Sequence, residues 1–233
     1  MILSELIKLL VPNRCVLCHS DSSRAYALCC ACHTHLPWLA EPVCGRCALP
    51  TRRSGLCGKC IARPPAFDRS LASFHYAAPI NRFIHALKFY DQLLYAEILA
   101  HLLYEYASNM GATVDALVPV PLDKQRLRHR GFNQSQLIAK RLGMLLNIPV
   151  IHQSLIKHKT TLAQNQLSAR ARKSNVNGSY RLVTPIPHPR VALIDDVMTT
   201  GATAAACSRT LKKNGIEHVE LWCCARSISP YSS

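Results

Sequence analysis

The sequence predicts an α/β protein, a parallel sheet flanked by helices, preceded by a small cysteine-rich module. Three observations carry that prediction. Strand-like apolar runs alternate with helix-period segments after residue 62. Nine of the 12 cysteines fall in the first 60 residues. One apolar run ends in two adjacent carboxylates and a small hydroxyl-rich turn. With 233 residues, 49% of them hydrophobic, the chain can bury the core of one ordinary α/β domain plus an appended module.

In chain order, residues 1–10 put Leu3, Leu6, Ile7 and Leu10 on one helical face. Packing on the protein's own domain is the expected use of that face, and docking on a membrane is the alternative. The Pro-Pro pair within 62–67 reads as a short linker. A strand is expected over 71–76, then helices over 80–90 and 95–110, where Leu99, Leu102, Leu103 and Tyr106 recur at helical spacing. A strand over 114–118, a helix over 133–147, a strand over 191–194, a helix over 202–213 and a strand near 219–223 follow. The organisation is an amphipathic helix over 1–12, a zinc-binding module over 13–62 and the larger domain over 68–227.

Lys and Arg number 28 against 13 Asp and Glu, a formal charge of +15. A surplus of this size points to a polyanionic partner, nucleic acid or phosphorylated ligands. Between Asp123 and Asp195 there are 13 Lys and Arg and no acid. A solvated basic face is the plainer explanation, and phosphate binding the better one. No apolar run reaches membrane-spanning length, and the N-terminus is interrupted by Glu5 and Lys8. A soluble cytoplasmic protein is expected, with peripheral contact at the inner membrane left open.

Eight cysteines form four C-x-x-C pairs: Cys15/Cys18, Cys29/Cys32, Cys44/Cys47 and Cys57/Cys60. Two such pairs complete a tetrahedral Cys₄ zinc site, so four give capacity for two structural ions. Disulfides and a redox pair are the competing explanations, disfavoured by the expected reducing compartment and by the fourfold repetition. Grouping neighbouring pairs in order makes the simplest double zinc ribbon, and spacing also permits interleaving. Cys30 is an alternative to Cys29, whereas His33 and His35 read as surface residues. Such a module folds around metal and presents a surface, so chelation is expected to unfold it and spare the larger domain.

The stretch 191–203 reads V-A-L-I-D-D-V-M-T-T-G-A-T. In an open parallel sheet, ligands bind at the carboxyl ends of strands. Backbone N–H groups of 199–203, at a helix N-terminus, suit a phosphate, and Gly201 permits close approach. Asp195 and Asp196 suit the vicinal hydroxyls of a ribose. An Asp-Asp pair alone is more often a turn or helix cap; the neighbouring residues shift the balance.

This stretch resembles the phosphoribosyl pyrophosphate motif of type I phosphoribosyltransferases. The resemblance implies a type I phosphoribosyltransferase-like sheet, with Asp195 and Asp196 on the ribose hydroxyls, where any catalysis would centre. It puts the 5′-phosphate on Thr199, Thr200, Gly201, Ala202 and Thr203, and implies Mg²⁺ bound to the pyrophosphate. Two further stretches, V-P-V-P-L-D-K-Q-R-L-R-H-R-G-F-N-Q-S at 118–135 and T-L-A-Q-N-Q-L-S-A-R-A-R-K-S-N-V-N-G-S-Y at 161–180, join H-A-L-K-F at 85–89. With the cysteine module they resemble the ComF/GntX family, linked to natural competence and the use of external DNA.

The planar guanidinium forks of Arg126, Arg128 and Arg130 suit phosphate oxygens, and in related transferases the corresponding loop faces pyrophosphate. Arg126 and Arg130 are expected ligand contacts; Lys88, Arg128, Arg130, Arg170, Arg172 and Lys173 are expected DNA contacts. The stretch carrying Arg170, Arg172 and Lys173 resembles a loop that closes over the site, with a basic helix as the alternative. Phe132 reads equally as a packing anchor or a base-stacking platform, and Lys88 with Phe89 equally as one face of an ordinary amphipathic helix. The family implies binding and handling of imported single-stranded DNA during natural transformation, beside a site for phosphoribosyl pyrophosphate or a nucleotide. Other competence proteins are expected partners. The competing expectation is an active phosphoribosyltransferase, a glycosyltransferase by class, acting on an unknown acceptor.

Overall fold

The computed structural model describes residues 13–158 and 178–228. The expected helix over 1–12 and Arg170, Arg172 and Lys173 lie outside the described residues. In chain order the elements are β1 (Asn13–Arg14), β2 (Asp21–Ser22), α1 (Cys30–Thr34), α2 (Gly58–Ala62), β3 (Arg69–His75), α3 (Ile80–Phe89) and α4 (Leu94–Asn109). There follow β4 (Ala116–Pro119), α5 (Lys124–Arg130), α6 (Gln134–Leu146), β5 (Leu155–Lys157), β6 (Tyr180–Leu182), β7 (Arg190–Met198), α7 (Ala202–Lys213) and β8 (His218–Arg226).

Four strands form a parallel sheet in the order β3-β8-β7-β4, as the alternating pattern predicts. Parallel neighbours need crossovers, and helices supply them. The central strands are buried on both faces, which is why V-A-L-I and L-W-C-C are continuous apolar runs. One face packs Ala192, Ile194 and Trp222 against Leu87, Leu99 and Leu142 of α3, α4 and α6. The other packs Val118, Leu193 and Leu221 against Ala204, Cys207 and Leu211 of α7.

Local chemistry sets the ends of the helices beside the sheet's carboxyl rim. Asn133 caps α6 by accepting the Ser135 N–H at 3.0 Å, and Asn147 closes it in the left-handed region. The residues read as an arginine-bearing loop form the helix α5. Asp123 accepts the Arg126 N–H at 2.9 Å to start it, and Gly131 at φ +77° ends it.

The cysteine module shares the domain's core. Cys15, Tyr26, Leu28, Cys29 and Leu36 belong to the same buried cluster as Phe74, Leu99 and Trp222. The Tyr26 ring stacks on His101 at 4.8 Å, and Trp38 lies 4.4 Å from Phe74. Glu105 of α4 accepts from Arg24 at 3.1 Å and Tyr26 at 2.8 Å, and pairs with His33 at 2.8 Å. The chain at 37–39 runs along β3: the Leu39 N–H donates to Ser73 O, and the His75 N–H to Pro37 O. An edge strand of the sheet is thereby covered. The module and the larger domain thus share one buried cluster.

Candidate functional site

The four C-x-x-C pairs gather in sequence order into Cys15/Cys18/Cys29/Cys32 and Cys44/Cys47/Cys57/Cys60, with the sulfurs of each group within 4.8 Å of one another. A Zn–S length of about 2.3 Å in a tetrahedron separates sulfurs by about 3.8 Å. Cys18 and Cys29 stand 3.6 Å apart and Cys47 and Cys57 3.7 Å, so the donors fit the ion. Backbone N–H groups support the sulfurs: Cys32 N–H points at Cys29 Sγ and Cys57 N–H at Cys44 Sγ. Burial raises the Cys44 thiol, but the N–H groups of Cys57, Cys47 and Arg46 outweigh it and bring its pKa down to about 7. The Ser20 hydroxyl and backbone lower Cys18 to about 6. Burial pushes Cys47 up to about 11 and raises Cys32 and Cys60, so metal binding at those sulfurs must displace a proton. Cys30 is exposed and outside both groups, and His33 pairs with Glu105.

At the far end of β7 the two acids part company. Successive strand residues face opposite sides of a sheet. Asp195 follows Leu193 toward the α7 side and lines a pocket of about 40 Å³ with residues 198–203. That is room for a few waters. Gly201 sits at φ +74° at the start of α7, a conformation that a Cβ would strain. Tyr180 pairs with the Thr203 hydroxyl at this rim. Burial, then the neighbouring charge of Asp196, pushes the Asp195 carboxyl up to about 7, against the pull of Lys88, the Asp196 N–H and the Ser135 hydroxyl.

Asp196 follows Ile194 to the other side and is 3% exposed. It accepts from Gln134 Nε2 at 3.0 Å and pairs with Lys88. The expected DNA contact Lys88 therefore has its ammonium engaged by a carboxylate.

Because β4 and β7 are parallel neighbours, α5 leaves the carboxyl end of β4 beside Asp195; the Val120 N–H donates to Ile194 O at 2.9 Å. Lys124, Arg126 and Arg128 are exposed on it. Arg130 turns back, bonding the Gln134 carbonyl and lying 5.5 Å over the Phe89 ring. Phe89 is 61% and Tyr90 66% exposed, and His85 lies 4.6 Å and 5.6 Å from their rings. Phe132 is half-buried and packs against the core.

Sequence reasoning did not single out Gln134, Ser135, Tyr90, Glu105 or Arg226. The first two lie in the quoted N-Q-S. The last two find their partners far along the chain. Arg226 is 6% exposed at the end of β8. Its Nε donates to Cys47 O at 3.0 Å; its Nη1 donates to Met198 O at 2.9 Å, to Ser227 O at 2.6 Å and to Thr199 O.

Residues 6–61 match the model of the double zinc ribbon domain. Over 226 residues the chain is 33% identical to the DNA utilization protein YhgH of Escherichia coli K12, covering 94% of this chain and all of that protein. It is 33% identical to competence protein F of Haemophilus influenzae, covering 92% and 97% of the two chains. Competence protein ComFC of Bacillus subtilis is 26% identical, with 86% and 89% covered. Among solved structures, a purine phosphoribosyltransferase from Pyrococcus horikoshii overlaps 57% of this chain and 77% of its own at 18% identity. The TM-score of that overlap is 0.34. No helix among the described residues is long and apolar enough to cross a membrane.

Proposed function

This chain belongs to the family of competence protein F and the DNA utilization proteins, and on that premise we propose that it binds and handles imported single-stranded DNA in natural transformation. The handling takes place on the cytoplasmic side, beside a phosphoribosyl pyrophosphate site at the end of β7. The observation that carries the reading is the adjacency of α5 to the Asp195 pocket. A basic helix follows β4, the strand paired with β7, whose carboxyl end lines the pocket.

Single-strand binding without sequence preference uses a basic track and exposed rings on which bases stack. Lys124, Arg126 and Arg128 are the track among the described residues, and Phe89 and Tyr90, flanked by Arg130, are the rings. In the acid-free stretch, Arg170, Arg172 and Lys173 extend the positive charge. In the pocket, the N–H groups of 199–203 would take a phosphate and Asp195 a ribose hydroxyl. For Asp196 to take a second hydroxyl, Lys88 must first release it. Asp195 and Asp196 are held by consecutive residues of α6, Ser135 and Gln134, and Mg²⁺ enters this reading as the partner of pyrophosphate.

Anisotropy titrations of labelled single-stranded DNA across a salt series test the track. Each phosphate contact on a single strand contributes about 0.7 to the slope of log affinity against log salt. The Arg126→Gln/Arg128→Gln variant is expected to lose about 1.4 of that slope. An unchanged slope would take the DNA off α5. The intact pocket also favours a second reading, an active transferase; release of pyrophosphate on addition of candidate bases would establish it.

A further inference from the structure

We propose that Arg226 is a positioning residue that couples the second cysteine-bound metal site to the phosphate loop, so that the loop keeps its binding shape only while that site holds metal. The proposal rests on the reading of 199–203 as a phosphate loop, and goes beyond it by assigning what holds that loop in place.

Three consecutive carbonyls of the knuckle between Cys44 and Cys47 are anchored to the larger domain. Gly45 O accepts the Ser70 N–H at 3.3 Å, Arg46 O accepts the Ser70 hydroxyl at 2.9 Å, and Cys47 O accepts Arg226 Nε at 3.0 Å. The knuckle's backbone path is set by the metal that draws its two sulfurs together. Arg226 then carries that position across to Met198 O and Thr199 O, at the start of the loop.

The consequence for the loop follows from the trans peptide unit, in which C=O and the next N–H point in opposite directions. With the carbonyls of Met198 and Thr199 drawn to the guanidinium, the N–H groups of Thr199 and Thr200 are turned away from it. Both residues line the pocket. The planar fork reaches Cys47 O from Nε while Nη1 reaches Met198 O and Thr199 O, a span that a single ammonium nitrogen lacks.

The test is amide hydrogen exchange of the full zinc-loaded chain, followed in peptides covering 44–60 and 198–204, with zinc content measured alongside. Arg226→Met should keep both zinc ions and its cooperative melt while loop exchange accelerates, about tenfold for each charged hydrogen bond lost. Cys57→Ser, which opens the second site, should accelerate the loop by the same factor, and combining the two changes should add nothing further. Arg226→Lys should fall between Arg226→Met and wild type. Additive effects, or a loop untouched by Arg226→Met, would overturn the coupling. If Arg226→Met does not fold, graded chelation of wild type decides: the knuckle and loop peptides must lose protection together and before peptides of the sheet do, and a loop that stays protected or opens only with the sheet refutes the proposal. Titration of the same samples with phosphoribosyl pyrophosphate and Mg²⁺ separates the two layers. Wild type that fails to bind removes the phosphate reading, while the exchange data still judge the coupling.

Discussion

The two four-cysteine sites use the same chemistry within one module, yet they are joined to the molecule differently. The first is built into the main core: Cys15 and Cys29 share a cluster with Leu99 and Trp222, and Glu105 collects Arg24, Tyr26 and His33 from around it. The second has a small cluster of its own, Cys44, Cys47 and Cys60 with Leu49 and Cys57 against it. It reaches the domain through the carbonyls of Gly45, Arg46 and Cys47, through Arg46 Nε on Asp68 O, and through Ala48, with Val43 beside it, in the cluster of Leu193 and Leu221. Burial of apolar side chains supplies stability roughly in proportion to area, whereas hydrogen bonds to backbone supply direction more than energy. The first site is thus part of what holds the sheet together, and the second a bracket on the rim where the ligand is proposed to bind.

The largest expected effect would break or establish that contrast. Cys15→Ser removes a fully buried ligand from the shared core. Structural zinc contributes about 10 kcal/mol or more to small domains, comparable with the whole stability of a domain of this size. Cooperative melting should therefore be lost in Cys15→Ser, while Cys57→Ser should keep the transition of the sheet. Thermal melts followed by circular dichroism, with zinc measured in parallel, decide it. Identical behaviour of the two variants would erase the distinction.

Glu105→Ala should come next. It strands the partners Arg24, Tyr26 and His33 on the first site's side of the interface. Discounted for the carboxylate's partial exposure, a loss of about 2 kcal/mol is expected, or roughly 4–8 °C in melting temperature. A change within experimental error would mean that apolar burial alone secures the first site.

The smallest effect belongs to the rim. The folded chain holds the Asp195 proton up to about pH 7, above its ordinary 3.8. This group's contribution to stability is therefore present at low pH and is lost as pH rises from about 4 to about 7. Ligand binding through an ionised Asp195 runs the other way, with affinity for phosphoribosyl pyrophosphate rising roughly tenfold between about pH 6 and pH 8. Asp195→Asn should bind more weakly and keep only the ligand's own pH dependence, whereas Glu105→Ala should retain the step. Calorimetric titrations at both pH values read it; a step that survives in Asp195→Asn assigns the titration elsewhere.

Much of this molecule was legible in its residues. The helix over 202–213 has the limits expected from its apolar period, and the helix expected over 133–147 is bounded by its caps Asn133 and Asn147. The grouping of the cysteines followed the simplest pairing. Helix α5 escaped because K-Q-R-L-R-H-R offers one apolar residue, Leu127, and so no period to read; its caps Asp123 and Gly131 were the available signal. The strands at the rim are longer than their apolar runs, because Asp195 and Asp196 in β7 and Arg226 in β8 continue the ladder as polar residues. The opposed directions of Asp195 and Asp196 follow from strand alternation once the strand is known to continue through them. The attachment of the module was not legible at all. Arg226 meets Cys47 across 179 positions and Tyr26 meets Glu105 across 79, and no local spacing encodes such pairs.

The most direct test of the central claim, that one rim serves both the phosphate ligand and the strand, is a competition experiment. Labelled single-stranded DNA is titrated with the zinc-loaded protein at low and physiological salt, with and without phosphoribosyl pyrophosphate and Mg²⁺. Salt-sensitive binding that weakens when the ligand is added is the predicted result, because α5 and the Asp195 pocket adjoin. Absence of DNA binding at physiological salt, or binding indifferent to saturating ligand, would contradict it.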